Sequence, residues 1–357
     1  MTSLLERRYR SALRLLPAYY RERREDEMVE AFLDGAEERS GARDAASAEA
    51  AREEMRPAAG ELASIAVLAV RTRLGAAKGP GTPARYAAAG AAVRMFGLLG
   101  LLLHAANAVT ERALALAWLQ GASVGDRETY LGVFTGHGLP SSLREVAQWL
   151  LPLCWVGAYA ALTRGHRRAA LSFAVCAAVP ALLSVVDLAD LGMAPDALTF
   201  AHIALGWLTV LALCSGFHED APAPRLPLLP PGQALLAMCV LMGASVAALP
   251  PVADEVWALA TAVLALTVLW YGARVRGAEA TADPGTPLAL AALGALVLAV
   301  RTSGLLLYPT GGLPHTMLLF LSVQTAVLAL GTVALAVSGL RRLPARKRYG
   351  AEESATG

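Results

Sequence analysis

Eight separate stretches of about twenty predominantly apolar residues recur along this chain, and that repetition limits its possible folds more than any other feature. They run over 86–108, 145–163, 169–188, 197–217, 232–250, 254–273, 287–308 and 315–338. A helix rises about 1.5 Å per residue, so each stretch is long enough to cross roughly 30 Å of hydrocarbon with its backbone hydrogen bonds satisfied internally. Composition points to the same solvent: 56% of the 357 residues are apolar and only 17% are charged. The fold class expected is all-α, a polytopic transmembrane bundle of about eight spans with a small cytoplasmic helical domain at the N-terminus.

The basic residues orient the bundle, because Lys and Arg accumulate in cytoplasmic connections. Arg71, Arg73, Lys78 and Arg85 precede the first span, and Arg164, Arg167 and Arg168 follow the second. Arg225 follows the fourth, Arg274 and Arg276 the sixth, and Arg341, Arg342, Arg346, Lys347 and Arg348 the last. The opposite side holds only Arg112, Arg127 and Arg144, all in the long connection Val109–Arg144. The first apolar run begins only near Tyr86, which argues against a secretory leader. The expected placement is multi-pass in a plasma (inner) membrane with both termini cytoplasmic. Within the long outer connection, 109–120 reads either as an interfacial helix or as loop, and Gly121, Gly125, Gly132, Gly136 and Gly138 with Trp118, Tyr130 and Phe134 suit a loop folded back on the membrane. A very short turn at Pro250-Pro251 joins two spans.

The net charge of +2 is spread over chain ends and short connections, so nothing indicates a nucleic-acid partner, and the lipid bilayer is the first partner expected. Four cysteines, Cys154, Cys176, Cys214 and Cys239, stand singly inside apolar runs and read as small core residues. The preference for Arg over Lys, together with abundant Ala and Leu, suits a GC-rich bacterial genome.

The first 75 residues differ in character. Leu5, Tyr9, Leu13 and Leu16 recur at helical spacing among arginines, which predicts an amphipathic helix stopped by Pro17. A second helix begins there and carries Tyr20, Met28, Phe32 and Leu33, with Gly35 or Gly41 as its end. An Ala- and Glu-rich third stretch spans 45–55, and a fourth over 61–74 sets Leu62, Ile65, Leu68 and Ala69 on one face. With Arg71, Arg73 and Lys78 following, that last helix suits a position on an anionic leaflet.

The run Leu13-Arg14-Leu15-Leu16-Pro17-Ala18-Tyr19-Tyr20-Arg21-Glu22-Arg23-Arg24-Glu25-Asp26-Glu27-Met28 resembles the permease-prefix, or HAAS-type, domain that precedes the membrane part of some bacterial, often actinobacterial, membrane proteins. Pro17, Tyr20, Arg21, Glu27 and Met28 carry the most specific part of the likeness, which covers roughly residues 3–75. The resemblance implies a noncatalytic docking or signalling element, with a cytoplasmic regulator (PadR-type regulators are often encoded nearby) or an ABC-transporter-type membrane protein as partner. No large extracytoplasmic domain of the kind many such permeases carry is visible downstream. The organisation expected is therefore a prefix domain over 1–75, a linker over 76–85, a transmembrane bundle over 86–340 and a basic tail over 341–357.

Polar groups inside the spans are the remaining candidates for function, since an ionisable residue at mid-membrane costs about 2.5–3.5 kcal/mol on insertion scales. Arg94 and Arg301 sit in the first and seventh spans, within the similar strings Val93-Arg94-Met95-Phe96-Gly97-Leu98-Leu99 and Val300-Arg301-Thr302-Ser303-Gly304-Leu305-Leu306. These strings read either as the residue of duplicated hairpins or as a coincidence of Leu- and Gly-rich sequence. Asp187 and Asp190 share a face at the outer end of the third span, where an Arg301–Asp187 pair is geometrically allowed. Structural pairing or snorkelling is the commoner role for such arginines, and a substrate or ion site the rarer one. His104, Asn107 and Glu111 lie on one stripe at the outer end of the first span. With the two aspartates they form a set able to ligate a metal if the helices touch, although a solvated helix end is the commoner arrangement.

No GxSxG, Walker A, GxGxxG or HExxH string occurs, so the sequence implies no catalytic residue, no cofactor and no resident metal. The function expected is a noncatalytic transport-associated or signalling membrane component. A secondary transporter is the alternative, and an intramembrane metal-dependent enzyme a more distant one.

Overall fold

A computed structural model of the chain describes residues 4–40, 58–76, 82–121, 143–190, 197–217, 226, 229–248, 255–277, 283–307 and 315–343. Among these every regular element is helical, and they divide into two compact units between Gly90 and Ala91.

In the N-terminal unit, α1 (Leu4–Leu13), α2 (Ala18–Ser40) and α3 (Ala59–Leu74) surround a small core. Leu5, Tyr9, Leu13 and Leu16 supply one wall, Val29, Phe32 and Ala36 the second, and Ile65 and Ala69 the third. Tyr9 and Phe32 stack in parallel with ring centroids 4.0 Å apart. Pro17 separates α1 from α2 as the sequence predicts, and its carbonyl accepts the first bonds of α2 from the N–H groups of Tyr20 and Arg21. Of the two expected ends, Gly35 does not stop α2, because a single glycine costs a helix only about 1 kcal/mol, and the helix runs on to Ser40, the residue before Gly41. On α3, Ile65, Leu68 and Ala69 of the expected face meet the core, whereas Leu62 is exposed and Thr72 is buried in addition. The expected third helix, over 45–55, lies outside the described residues.

The second unit holds most of α4 (Ala84–Gly121), then α5 (Leu143–Leu150), a 3₁₀ turn (Leu151–Leu153), α6 (Cys154–Thr163), α7 (Arg167–Asp190), α8 (Ala197–Gly216), α9 (Pro231–Ala248), α10 (Glu255–Val275), α11 (Gly285–Leu307) and α12 (His315–Arg341). Among the described residues, each of the eight apolar windows falls mainly on helix. Five helical segments are long and apolar enough to cross a membrane, namely Ala84–Ala117, Val146–Thr163, Val256–Val275, Gly285–Ser303 and Leu318–Arg341. Ile203–Gly216 and Pro231–Ala247 are shorter apolar helices.

α4 is the central element of this bundle. Leu98, Leu99, Leu101, Leu102, Leu103, Ala105 and Ala106 are all buried, so the helix is enclosed on every side, as an all-round apolar helix should be. Neighbours approach it closely through small residues: Gly97 faces Ala212 and Leu213 of α8, and Gly100 faces Thr209. Its 38 residues make it about 57 Å long, well beyond one hydrocarbon thickness. The helix does not end at 108, because no glycine or proline interrupts Val109–Gln120 and Ala and Leu dominate there. Residues 122–142 of the expected outer loop, the Pro250-Pro251 turn and most of the basic tail lie outside the described residues.

Candidate functional site

The continuation of α4 brings His104, Asn107, Ala108, Glu111 and Arg112 onto one helical stripe, and that stripe lines a cavity of about 160 Å³. Pro152 and Trp155 close it on one side, Ala177, Ala178, Pro180 and Ala181 of α7 on another, and Ile203, Gly206 and Trp207 of α8 on a third. The space exists because the α7 wall is built from alanines and a proline. Pro180 also has no N–H to give the helix, so one backbone bond of α7 is missing at this level.

The polar groups on the stripe form a chain. Asn107 donates from Nδ2 to Glu111 Oε1 at 2.9 Å, and Arg112 donates from Nη1 to Glu111 Oε2 at 2.9 Å. Arg112 is held further by bonds from Nε to the Trp149 carbonyl at 2.9 Å and from Nη1 to the Ala108 carbonyl at 3.1 Å. His104 lies flat against Trp155, with centroids 4.5 Å apart and planes 16° from parallel. Trp207 adds a buried Nε1–H with no acceptor among the described residues. The cavity thus presents an ion pair, an amide, an imidazole and an indole donor inside an apolar bundle, at a volume on the order of that which admits a benzene-sized molecule. It is suited to holding a small polar solute or a few waters.

The sequence brought His104, Asn107 and Glu111 together correctly as a stripe but did not single out Arg112, which ties Glu111 in place. The available signal was its position one residue after Glu111 and eight after His104. Asp187 and Asp190 lie near the end of α7, the helix that supplies the alanine wall, but their side chains lie outside the described residues, and so does any pairing of Asp187 with Arg301. Among the described residues no group of three His, Cys, Asp or Glu side chains is placed to hold a metal.

Arg301 belongs to a different network. It is 5% exposed on α11, donates from Nη2 to Gln324 Oε1 of α12 at 3.5 Å, and lies 5.7 Å from the centre of the Trp257 ring of α10. Gln324 in turn donates from Nε2 to Thr261 Oγ1 at 3.0 Å and to the Trp257 carbonyl at 3.3 Å. Three helices are tied through one buried amide, a partner with no charge to mark it in sequence. Arg94 is equally buried and packs along Gly216 of α8, within electrostatic reach of Asp283 and Arg167, so it does not snorkel to the surface.

In the N-terminal unit, Tyr20 and Met28 pack on the core, Glu27 is exposed and 3.7 Å from Arg24, and Arg21 is half-buried. Ions hold α1 to α2: Arg10 reaches Glu6 at 3.0 Å, Glu25 at 3.3 Å and Asp26 at 3.1 Å. The hydrogen bond to Glu6 and then that to Asp26 push the Arg10 guanidinium above its ordinary range. Tyr19 donates to the Thr72 carbonyl of α3 at 2.8 Å. Outside the core, α3 leaves Leu62, Val67, Val70 and Leu74 exposed.

No protein-family model, no curated protein and no solved structure matches the chain. The functional reading therefore rests on the residues themselves.

Proposed function

We propose that this chain is a noncatalytic component of a bacterial inner membrane, transport-associated or signalling, which docks a cytoplasmic partner through its N-terminal helical unit. The reading includes eight membrane crossings with both termini cytoplasmic, as the distribution of basic residues requires. One observation carries it. The N-terminal unit satisfies its own core yet leaves Val67, Val70 and Leu74 of α3 uncovered at 59%, 49% and 43% exposure, spaced i, i+3, i+7 on a single face. Arg71 and Arg73 are exposed beside them, so the face combines an apolar stripe with positive charge and fits an acidic, amphipathic protein surface. A regulator or an ABC-transporter-type subunit presenting such a surface is the partner that the prefix-like motif implies.

The test places a photo-crosslinking residue at position 70 of the full chain in native membranes. The expected product is one defined cytoplasmic protein or transporter subunit, lost on Val67→Asp. Crosslinking to lipid alone would show that α3 lies on the leaflet instead and would sink the docking assignment. So would survival of the adduct in the Val67→Asp variant.

A solute permease is the second reading, and the cavity favours it, because its lining sets the Glu111–Arg112 pair, Asn107 and His104 beside alanines and tryptophans, a mixed surface that suits a small polar solute. Glu111→Gln and Arg301→Ala should then each abolish flux of the transported solute in proteoliposomes. Unchanged flux in both variants would exclude this reading.

A further inference from the structure

We infer that the cavity beside the extended part of α4 binds one small zwitterion, a free α-amino acid, with its carboxylate on Arg112 and its ammonium on Glu111. The inference deepens the permease reading of the same cavity and rests on it for the expectation that a solute enters there. Binding itself is required whether or not that solute is carried across.

The charges give the first support. Glu111 and Arg112 both line the cavity and are joined to each other, Arg112 Nη1 donating to Glu111 Oε2 at 2.9 Å. A ligand of single charge meets attraction from one member of this pair and repulsion from the other at nearly the same distance, so the two largely cancel. An amino acid laid head to tail along the pair meets attraction at both ends, and its hydrogen bonds there are charge-assisted, the stronger kind. Its ammonium and carboxylate are borne by one carbon, a spacing that suits a pair in direct contact.

The second support is that the pair is set in place and still has an open edge. Arg112 donates from Nε to the Trp149 carbonyl at 2.9 Å and from Nη1 to the Ala108 carbonyl at 3.1 Å. With Glu111 also taken by Nη1, the N–H groups of Nη2 have no acceptor among the described residues. Beside that edge, the Glu111 side chain keeps 37% of its surface exposed, so its carboxylate is reachable. Neither group has to move to receive a ligand carrying the complementary charges, which lowers the cost of binding.

The third support is the space. Gly206, midway along α8, lines the cavity, and a Cβ placed there would meet Trp155 Cζ2 at an ordinary 3.7 Å. At Gly100, by contrast, a Cβ would come 2.5 Å from Thr209 Oγ1. Close helix packing therefore accounts for Gly100 but not for Gly206, and glycine inside a helix is unfavourable in itself. Keeping the cavity open is the role its position supplies. At about 160 Å³ the cavity takes a molecule on the scale of alanine or valine, and Trp155 and Ile203 give the ligand's side chain an apolar wall.

The test is equilibrium binding of tritiated L-alanine to the full chain in detergent, with glycine and L-valine as further amino acids. Isobutyrate and isopropylamine, in which a methyl replaces the ammonium or the carboxylate of alanine, serve as single-charge analogues. Wild type should prefer L-alanine to either analogue by about tenfold or more, the worth of one charge-assisted contact. Glu111→Gln should lower L-alanine binding about tenfold yet raise that of isobutyrate, since the repulsion is gone; a variant that merely misfolded would lose both. Gly206→Ala should weaken L-alanine binding severalfold while its thermal transition stays unchanged or rises. Flux in proteoliposomes separates the site from the permease reading: L-alanine bound but not carried would keep the site and leave that reading without its solute. Flux of another solute with no amino acid bound would keep the permease reading and overturn the site. Equal binding of L-alanine and isobutyrate by wild type, or a parallel fall of both in Glu111→Gln, would overturn the proposal, as would saturable binding of none of these amino acids. Displacement of bound L-alanine by phosphatidylethanolamine would assign the charge pair to a lipid headgroup and overturn it too.

Discussion

Two single residues make the energetics of the fold open to measurement. Tyr9 stacks on Phe32 inside the N-terminal core, and its burial, reinforced by the Glu61 carboxylate, pushes its phenol above the ordinary value. The folded unit therefore holds the phenolic proton more tightly than the unfolded chain does. The stability this provides is complete below the unfolded value of about 10 and is lost as pH rises through the folded one. Alkaline titration should show Tyr9 ionising only together with loss of the N-terminal fold, read by tyrosinate absorbance and circular dichroism. Tyr9→Phe should remove that component, and if it leaves the alkaline transition unmoved, the assignment fails. Gly100 tests the bundle in the same way. A Cβ placed there would come 2.5 Å from Thr209 Oγ1 and 3.0 Å from its Cγ2, but 3.3 Å from its Cβ. Gly100→Ala should accordingly destabilise by about 1–3 kcal/mol through overpacking. Adding Thr209→Ala, which deletes the two closest atoms, should recover part of that loss in detergent thermal unfolding, and simple additivity would show that the α4–α8 crossing is looser than described.

At the scale of elements, the helices were largely legible because a membrane span is written in length and hydropathy, both of which survive without tertiary context. Their ends and partners were less so. The apolar window of α4 closes at 108 and leaves 109–120 open between interfacial helix and loop; the helix continues there because charge alone does not stop one and neither Gly nor Pro occurs between Val109 and Gln120. That extension creates the cavity, because it keeps Glu111 and Arg112 in register with His104. On α3, Leu62 and Ile65 looked equivalent in period, but only packing against α1 and α2 decides which of them is buried. The partner of Arg301 was illegible for another reason. An acid was the natural expectation, and the group described beside it is the neutral amide of Gln324. That amide ties α10, α11 and α12 together, so Gln324→Leu should cost about 1 kcal/mol or somewhat more, as interhelical hydrogen bonds in membranes do. Thermal unfolding of the detergent-solubilised chain measures it. Gln324→Glu, which keeps the acceptor and adds charge opposite Arg301, should lose less than Gln324→Leu; the reverse order would mean that the arginine is held elsewhere.

For the whole molecule, the decisive point is that the described residues form two cores. The N-terminal core of Leu5, Tyr9, Leu13, Phe32 and Ile65 shares no residue with the bundle core around α4. Their driving forces also differ. Burial from water holds the small unit, whereas the bundle depends on close packing of small residues and a few polar ties once its helices are inserted. The small unit, with few buried side chains, should be marginal by itself, in line with the high surface share of any domain of this size. Chemical denaturation in a mild detergent should therefore show two transitions, the first sensitive to Phe32→Ala and the second to Gln324→Leu, with little crossover. A docking module needs this separation, since it has to bind or release a partner without unfolding the membrane part. One cooperative transition shifted equally by both variants would show that the units unfold together, and the N-terminal helices would then read as a structural cap on the bundle.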